Sequence, residues 1–240
     1  VSRNFGGIRA VADISFDVSH GKRLTIIGTN GAGKSTLFNL ITGVYPLSGG
    51  TISVFGQDVS KKPAHSRAKL GIARTFQTSK LFQGLTIREN LYVSLRQALG
   101  EKKIGWLSNP ASSEQMRNES TLILEKVDLL KKADVLVSDI SHGESRQLEV
   151  AMALAMRPKI LMLDEPAGGL GPQDIEWMNG LIRNLTAHMS VLIVEHHMDV
   201  VMSVCDRLYV LNFGEVISSG SSDVVRRDPA VIAAYLGTGA

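Results

Sequence analysis

The chain has 240 residues, 44% of them hydrophobic, which is enough for one globular domain with a substantial core. Its longest uninterrupted apolar runs are seven residues, at 150–156 and 230–236, too short for a membrane-spanning helix of about 18 to 20 residues. The formal charge of +3 is spread along the chain and gives no reason to expect a nucleic-acid partner, and the single cysteine, Cys205, excludes an internal disulfide. The first residues also lack the basic segment followed by an apolar segment that is typical of a signal peptide, so we expect a cytoplasmic location.

A glycine-rich segment, GTNGAGKST at residues 28–36, follows an apolar run at residues 24–27 that predicts a buried strand. Its spacing, G-x-x-x-x-G-K-S, is typical of a loop whose backbone N–H groups, with the positive end of the next helix, bind phosphate. Lys34 would reach the β- and γ-phosphates, and the hydroxyl of Ser35 would ligate Mg²⁺. The residues expected to contact a nucleotide here are Asn30, Gly31, Ala32, Gly33, Lys34, Ser35 and Thr36.

The helix after this loop is predicted by Leu37, Leu40 and Ile41, which share one helical face and precede Gly43. A glycine-rich turn without a ligand is the competing interpretation. It explains neither the lysine nor the helix start, so the pattern favours a phosphate site.

Further along, Thr86 and Glu89 have the spacing of a capping box, which predicts the start of another helix. Apolar residues at four-residue spacing then continue this helix, namely Leu91, Leu95 and Leu99. Residues 100–113 carry Lys-Lys, Gly and Asn-Pro and are predicted to be an irregular connection, and residues 120–130 are predicted to form a second helix.

The residue pattern therefore changes twice along the chain. Residues 1–84 and 157–240 contain short β-branched runs punctuated by glycine, such as TISVFG at residues 51–56, whereas the part between them is helical. We predict an α/β core formed by residues 1–84 and 157–240, with an α-helical subdomain inserted at residues 85–156.

A second capping box joins Ser141 to Glu144 and predicts a helix whose start would also favour an anion. The residues that follow it on one face are apolar, namely Leu148, Ala151, Met152 and Ala155.

An apolar run at residues 160–163, after Lys159, leads into Asp164, Glu165 and Pro166 and predicts a second buried strand. Asp164, at the strand's carboxyl end, could hold Mg²⁺ through water, and Glu165 could act as the general base that activates water. Two acids after a strand could equally mark a helix N-terminus, but the phosphate loop upstream favours the catalytic interpretation. A third apolar run, residues 191–194, leads to His196.

Together these motifs resemble the ATPase subunits of ABC transporters, because they occur in that family's order. Arg74, Thr75, Phe76 and Gln77 resemble its glutamine loop, and residues 140–147 match its signature segment in the serine, the second glycine and the downstream arginine. The likeness covers nearly all of the chain. Within that family, the chain most resembles the uptake ATPases for branched-chain (hydrophobic) amino acids. The segments that carry this resemblance are FGGIRAV at 5–11, GIARTFQ at 71–77, LEVA at 148–151, YLG at 235–237 and the long connection around Trp106.

The resemblance implies a P-loop NTPase (RecA-like) core with an N-terminal antiparallel β-subdomain, forming one ABC ATPase domain over residues 1–240. It implies that Phe5 stacks on the adenine of ATP, that Gln77 ligates Mg²⁺ and senses the γ-phosphate, and that His196 contacts the γ-phosphate. Without the resemblance, Phe5 would be strand packing and His196 a polar residue at a strand end. His142 and His197 are interpreted as structural.

In the resembled family, the helix that begins at Ser141 and Gly143 serves the ATP held by a neighbouring subunit. The implied partners are a second ATPase subunit, identical or paralogous, a membrane permease and, indirectly, a solute-binding protein, with no nucleic acid. The implied location is peripheral, at the cytoplasmic face of the inner membrane.

Some positions depart from the family pattern. Glu144 stands where Gln is common, and its carboxylate would repel a triphosphate unless it folds back onto the Ser141 cap. Gly171 replaces the usual Asp or Asn, which puts a hydrogen bond across the subunit interface in doubt, and His197 replaces the commoner Asp. The short stretch before Phe5 and the absence of a start methionine suggest a truncated N-terminus.

Other functions stay open at this point. The same ATPase could energise a urea-type importer or a lipid exporter. A soluble ABC ATPase acting on nucleic acid or ribosomes is disfavoured, because such chains typically carry two ATPase units or long coiled coils. A P-loop kinase or GTPase would leave the signature segment unexplained, and the sequence contains no guanine-reading Asn-Lys-x-Asp.

Overall fold

The structure is a computed structural model that describes residues 1–75, 81–99, 113–185, 189–196 and 198–236. In chain order its strands are β1 Arg3–Phe5, β2 Ile8–Val11, β3 Arg23–Gly28, β4 Ser53–Val54, β5 Gln57–Asp58, β6 Ile72–Arg74, β7 Ile160–Asp164, β8 Ser190–Val194, β9 Arg207–Asn212 and β10 Glu215–Gly220. Its α-helices are α1 Lys34–Thr42, α2 Ala64–Lys69, α3 Ile87–Leu99, α4 Glu114–Lys126, α5 His142–Ala155, α6 Pro172–Leu185, α7 Met198–Val204, α8 Ser222–Arg226 and α9 Pro229–Leu236. Short 3-10 turns lie at Leu130–Lys132 and Val137–Asp139.

A central six-stranded sheet has the order β10-β9-β3-β8-β7-β6. All neighbouring strands run parallel except the edge strand β10, which is antiparallel to β9. The three predicted buried strands are β3, β7 and β8, which lie side by side. Because parallel strands end at one edge of a sheet, the segments that follow these three strands are brought together.

The sheet separates two hydrophobic clusters, and alternate residues of β7 and β8 enter opposite clusters, as the period of a strand requires. Leu161 and Leu163 pack with the side of the core that contains α3, α5 and α6, while Met162 packs with α1. Both faces of these strands are covered, which explains why their sequences are continuously apolar.

The N-terminal antiparallel β-structure consists of two small hairpins, β1 with β2 and β4 with β5. In the second hairpin, Phe55 and Gly56 form a two-residue turn in which both φ angles are positive, 51° and 76°. The β-branched run at residues 51–56 therefore contributes only the two-residue strand β4, because the turn uses its last two residues. The predicted mixed α/β fold is confirmed, since a mostly parallel central sheet is covered on both faces by hydrophobic clusters to which helices contribute.

The inserted helices α3, α4 and α5 pack against one another. α3 begins with the predicted capping box, in which the Thr86 N–H donates to Glu89 Oε2 at 2.8 Å and the Glu89 N–H donates to Thr86 Oγ1 at 3.2 Å. These helices share a hydrophobic cluster with β7 and β8. The boundaries of the inserted subdomain, placed between residues 84 and 85 and between residues 156 and 157, stay predictions.

The predicted helix at residues 120–130 is wrong at both ends. α4 starts earlier because Ser113 caps it, accepting a hydrogen bond from the Met116 N–H at 3.4 Å, and because Met116 is fully buried. It ends at Lys126, shortly before Asp128, whose φ of 56° is incompatible with a continuing helix. Most of the predicted irregular connection at residues 100–113, including Trp106, lies outside the described residues.

Candidate functional site

The glycine-rich loop connects β3 to α1 and ends at Gly33, which precedes α1 without a side chain that could cap it. The first N–H groups of α1 are therefore left for a ligand. A Cβ on Gly28 would lie 2.3 Å from Leu211 O, and one on Gly33 would lie 2.4 Å from Ala10 O, so the fold itself requires glycine at both positions. By contrast, a Cβ on Gly31 would meet no atom within 4 Å, and this part of the loop is open to a phosphate.

The predicted phosphate-binding residues occupy two environments along this loop. Asn30, Gly31 and Ser35 are exposed, whereas Ala32 is buried and Thr36 is half-buried. The small Ala32 side chain fixes the loop to the core, and the polar groups around it stay accessible.

Lys34 is buried and folds back over the loop, where its ammonium donates to Gly28 O at 2.7 Å and Thr29 O at 2.9 Å. Burial lowers the pKa of Lys34 from its ordinary value, while the negative charges of Glu165 and Asp164 act in the opposite direction. Lys34 lies at the start of α1, after β3, and the two acids lie at the end of β7, so all three follow strands of the same sheet although they come from different parts of the sequence.

Asp164 ends β7 and is buried with 2% exposure. Its Oδ2 accepts a hydrogen bond from Arg74 Nη2 at 2.6 Å, and its backbone N–H donates to Thr75 Oγ1 at 3.2 Å. Its other oxygen, Oδ1, has no hydrogen-bond partner among the residues that the structure describes. A buried carboxylate oxygen without a donor suits a hydrated Mg²⁺ ion, so the site's chemistry fits the metal expected from the sequence.

Glu165 follows directly and has a φ of 49°, which turns the chain sharply away from the strand. Its backbone N–H donates to Val194 O at 2.9 Å, so the turn is tied to the end of β8. The Nδ1 atom of His196 lies 3.8 Å from Glu165 Oε1, and half of the His196 side chain is exposed. The structure thus brings the proposed base and the proposed γ-phosphate contact together at the carboxyl edge of the sheet.

Glu195 is a structural member of this site that sequence reasoning missed. It is fully buried, and its Oε1 accepts from the Ala167 N–H at 3.0 Å while its Oε2 accepts from the His196 N–H at 2.7 Å. One carboxylate therefore fixes the loops after both β7 and β8. The available signal was an acidic residue placed directly between an apolar strand and the histidine.

Arg74 also has a larger role than its place in the glutamine loop suggested. Its Nη1 donates to Asn39 Oδ1 at 2.6 Å, and its guanidinium lies 5.5 Å from the centre of the Phe38 ring. Arg74 therefore joins α1, which follows the phosphate loop, to Asp164 at the end of β7. Gln77, the residue expected to ligate Mg²⁺, lies outside the described residues.

Phe5, the predicted adenine contact, lies at the end of β1 and is 39% exposed, so it is not a core residue. Its ring packs edge-on against Tyr45, with 5.4 Å between centroids, and the Arg3 guanidinium lies 4.5 Å from its ring centre. An aromatic ring held at the surface in this way could stack with a planar base.

The signature helix α5 begins as predicted. Ser141 Oγ accepts from the Glu144 N–H at 3.2 Å, and Glu144 Oε2 accepts from the Ser141 N–H at 2.9 Å. Glu144 therefore folds back onto the cap, which was the condition for tolerating its charge. Gly143 lies so close to α6 that a Cβ would be 2.6 Å from Asp174 Oδ2, and His142 lies beside Gly169.

A cavity of about 410 Å³ lies where α2, β6, α3 and α5 meet. Its wall includes Arg74 and Thr75, the described residues nearest in sequence to Gln77, and also Glu149 of α5. The Oε2 of Glu149 pairs with Arg146 Nη1 at 2.8 Å, but its buried Oε1 has no hydrogen-bond partner in the described chain.

Among the residues that the structure describes, no helix is long and apolar enough to cross a membrane.

The family model for ABC transporters matches residues 11–168, and that for the C-terminal part of branched-chain amino acid ATP-binding cassette transporters matches residues 215–240. The high-affinity branched-chain amino acid transport ATP-binding protein LivG of Escherichia coli (strain K12) is 39% identical, covering 97% of this chain and 94% of LivG. BraF of Pseudomonas aeruginosa, with the same description, is 37% identical over 99% of this chain and 95% of its own length. A crystal structure of the ADP conformation of an ABC transporter's ATP-binding cassette matches with a TM-score of 0.87 and 29% identity, covering 99% of this chain and 96% of that one.

Proposed function

The chain belongs to the ABC transporter family and is one of its ATPase subunits, and on that premise we propose that it dimerises on MgATP to drive import of branched-chain amino acids. The observation that carries this proposal is the position of Glu165 beside His196 at the carboxyl edge of the sheet, directly after Asp164, in a chain similar to LivG and BraF over almost its whole length.

For nucleotide binding, we assign the triphosphate to the loop of residues 28–36 and the adenine to Phe5. The N–H groups at the start of α1, which no side chain caps, and the Lys34 ammonium would supply positive charge for the phosphates. Ser35, Asp164 and Gln77 would hold Mg²⁺, which when bound neutralises phosphate charge. The Oδ1 of Asp164, which has no hydrogen-bond partner among the described residues, supports this assignment.

For hydrolysis, Glu165 would accept a proton from water as the water oxygen attacks the γ-phosphorus and the bond to the β,γ-bridging oxygen breaks. His196 would hold the γ-phosphate beside this carboxylate, since its ring already lies near Glu165. Glu195 would keep both in place through its hydrogen bonds to the backbone of Ala167 and His196.

The start of α5 would serve the ATP of a second copy or of a paralogous subunit. Ser141 and Gly143 form a capped helix N-terminus, which attracts anions. Two half-sites would then be completed across the subunit interface, and because ATP binds the closed pair better, binding would drive closure.

The partner on the membrane side would be a permease, and its cytoplasmic loop would dock in the cavity beside Thr75 and Glu149. The Oε1 of Glu149 could accept a hydrogen bond from such a loop. The chain would then lie at the cytoplasmic face of the inner membrane, and a solute-binding protein would act through the permease.

A related ATPase could instead energise urea import or lipid export, and a soluble ABC ATPase is the third alternative. The names of LivG and BraF favour branched-chain amino acids. The test is to purify the chain with its permease from membranes, reconstitute the complex in liposomes and measure ATP hydrolysis. Stimulation by leucine, isoleucine or valine with the binding protein is expected, whereas stimulation by urea or by a lipid substrate alone would contradict the assigned solute. Failure to co-purify with any membrane protein would support the soluble alternative.

A further inference from the structure

The ion pair between Lys132 and Glu144 lies beside the start of α5, where the phosphate of a neighbouring nucleotide would bind. Lys132 Nζ is 2.5 Å from Glu144 Oε1, while the other oxygen of Glu144 accepts from the Ser141 N–H. Both oxygens of this carboxylate are therefore occupied, one by a charge and one by the cap.

Two carboxylates lie against this helix start. Besides Glu144, Asp174 lies close enough to Gly143 that a Cβ there would be 2.6 Å from its Oδ2. A helix N-terminus carries only about half a positive charge, so each carboxylate beside it that has no neighbouring cation weakens its attraction for an anion. The cap holds Glu144 at this position and stabilises the helix, but it does not remove the negative charge.

The backbone that carries Lys132 is held by the fold. Its own carbonyl accepts from the Val135 N–H at 2.9 Å, and the next carbonyl, that of Ala133, accepts from the Arg88 N–H of α3 at 2.8 Å. Ala133 is buried. The segment after α4 is thereby fixed against the start of α3 in a position from which the Lys132 ammonium reaches Glu144.

We propose that Lys132 is a positioning residue for ATP-driven pairing, because it neutralises Glu144 and so preserves the anion affinity of the α5 N-terminus for the γ-phosphate held by a second copy. This inference rests on the proposed function, since it requires that α5 serves a neighbour's nucleotide. The competing interpretation is that Lys132 and Glu144 form an ordinary half-exposed surface ion pair, which contributes little to stability and has no role in pairing.

The test measures the MgATP concentration that gives half-maximal dimer, by sedimentation velocity, in protein carrying Glu165→Gln to slow turnover. Lys132→Met should raise that concentration about tenfold, as expected for one uncompensated charge near a phosphate in a partly solvated site. Lys132→Arg should stay close to the parent. Lys131→Met is the matched control, because it removes a neighbouring positive charge from the same turn, and it should shift the midpoint less than about twofold.

The decisive variant combines Lys132→Met with Glu144→Gln. Once the Glu144 carboxylate is gone, Lys132→Met should not raise the MgATP midpoint for dimer formation any further. If Lys132 were merely structural, Lys132→Met would raise that midpoint equally with Glu144 and with Glu144→Gln. Equal losses in both backgrounds, or no loss with Lys132→Met alone, would overturn the inference while the dimer model stands. If the Glu165→Gln parent stays monomeric at saturating MgATP, the proposed function fails, and the inference fails with it. Thermal unfolding and MgATP binding by the monomer, measured for each variant, separate misfolding from these outcomes.

Discussion

Glu165 Oε1 lies 3.8 Å from His196 Nδ1, although the two residues follow different strands of the sheet. The reason is the parallel register of β7 and β8, in which Asp164 pairs with Val194, so that the residues following the two strands leave the sheet side by side. This relationship turns two separate sequence motifs into one chemical site.

We expect Glu165→Gln to bind MgATP with little change and to hydrolyse it slower by a factor of roughly 10² to 10⁴, which is the usual contribution of a general base. The amide keeps the size of the side chain and loses the ability to accept a proton. Single-turnover hydrolysis and equilibrium MgATP binding should be measured together. Turnover equal to that of the unmodified chain would mean that another residue is the base.

Ser141→Arg should abolish hydrolysis and spare the binding of MgATP to a single copy. The substitution removes the cap at the start of α5 and places a long side chain where the second subunit's nucleotide would approach. Ser141→Ala is the matched control, because it removes only the cap and should lower the free energy of unfolding by about 1 kcal/mol. Loss of single-copy MgATP binding in Ser141→Arg would mean that α5 serves its own chain's nucleotide.

Two glycines of the loop, Gly33 and Gly31, should respond differently to alanine in the absence of nucleotide. At Gly33, φ is 99° and the new Cβ would lie 2.4 Å from Ala10 O, so Gly33→Ala should lower the free energy of unfolding by roughly 2 to 4 kcal/mol. At Gly31, φ is 78° and no atom lies within 4 Å, so Gly31→Ala should cost only the backbone strain of about 1 to 2 kcal/mol. Urea unfolding of both variants checks the difference, and equal losses would contradict this account of the loop.

Arg74→Met should lower the free energy of unfolding by about 3 to 5 kcal/mol, because it leaves the buried carboxylate of Asp164 without its cation. Part of this loss should disappear in an Asp164→Asn background, while the lost contacts to Asn39 and Phe38 remain. Asp134→Asn is the control, since it breaks a pair with Arg88 in which the carboxylate is 85% exposed, and it should cost less than about 1 kcal/mol. Additive losses for Arg74→Met and Asp164→Asn would show that the two side chains do not interact.

Much of this protein could be read from local sequence. The three apolar runs became β3, β7 and β8 because strands covered on both faces need no polar residues, and those patterns are visible without knowing their neighbours. Both capping boxes formed as predicted, since they join residues only three positions apart. The end of α4 was not predicted, because Asp128 carries no local signal for its positive φ.

Local patterns were enough to predict the glycine loop, the strand that carries Asp164 and Glu165, and the capped start of α5, because each depends on short-range spacing and hydrogen bonds. Which of these motifs meet is set by the folded core. The sheet order placed Glu165 beside His196, Arg74 beside Asp164, and the buried Glu195 between two loops. The pairing of Lys132 with Glu144 likewise depends on how the segment after α4 packs against α3. Contacts between residues far apart in the chain are set by the packing of the whole core, and no local pattern encodes them.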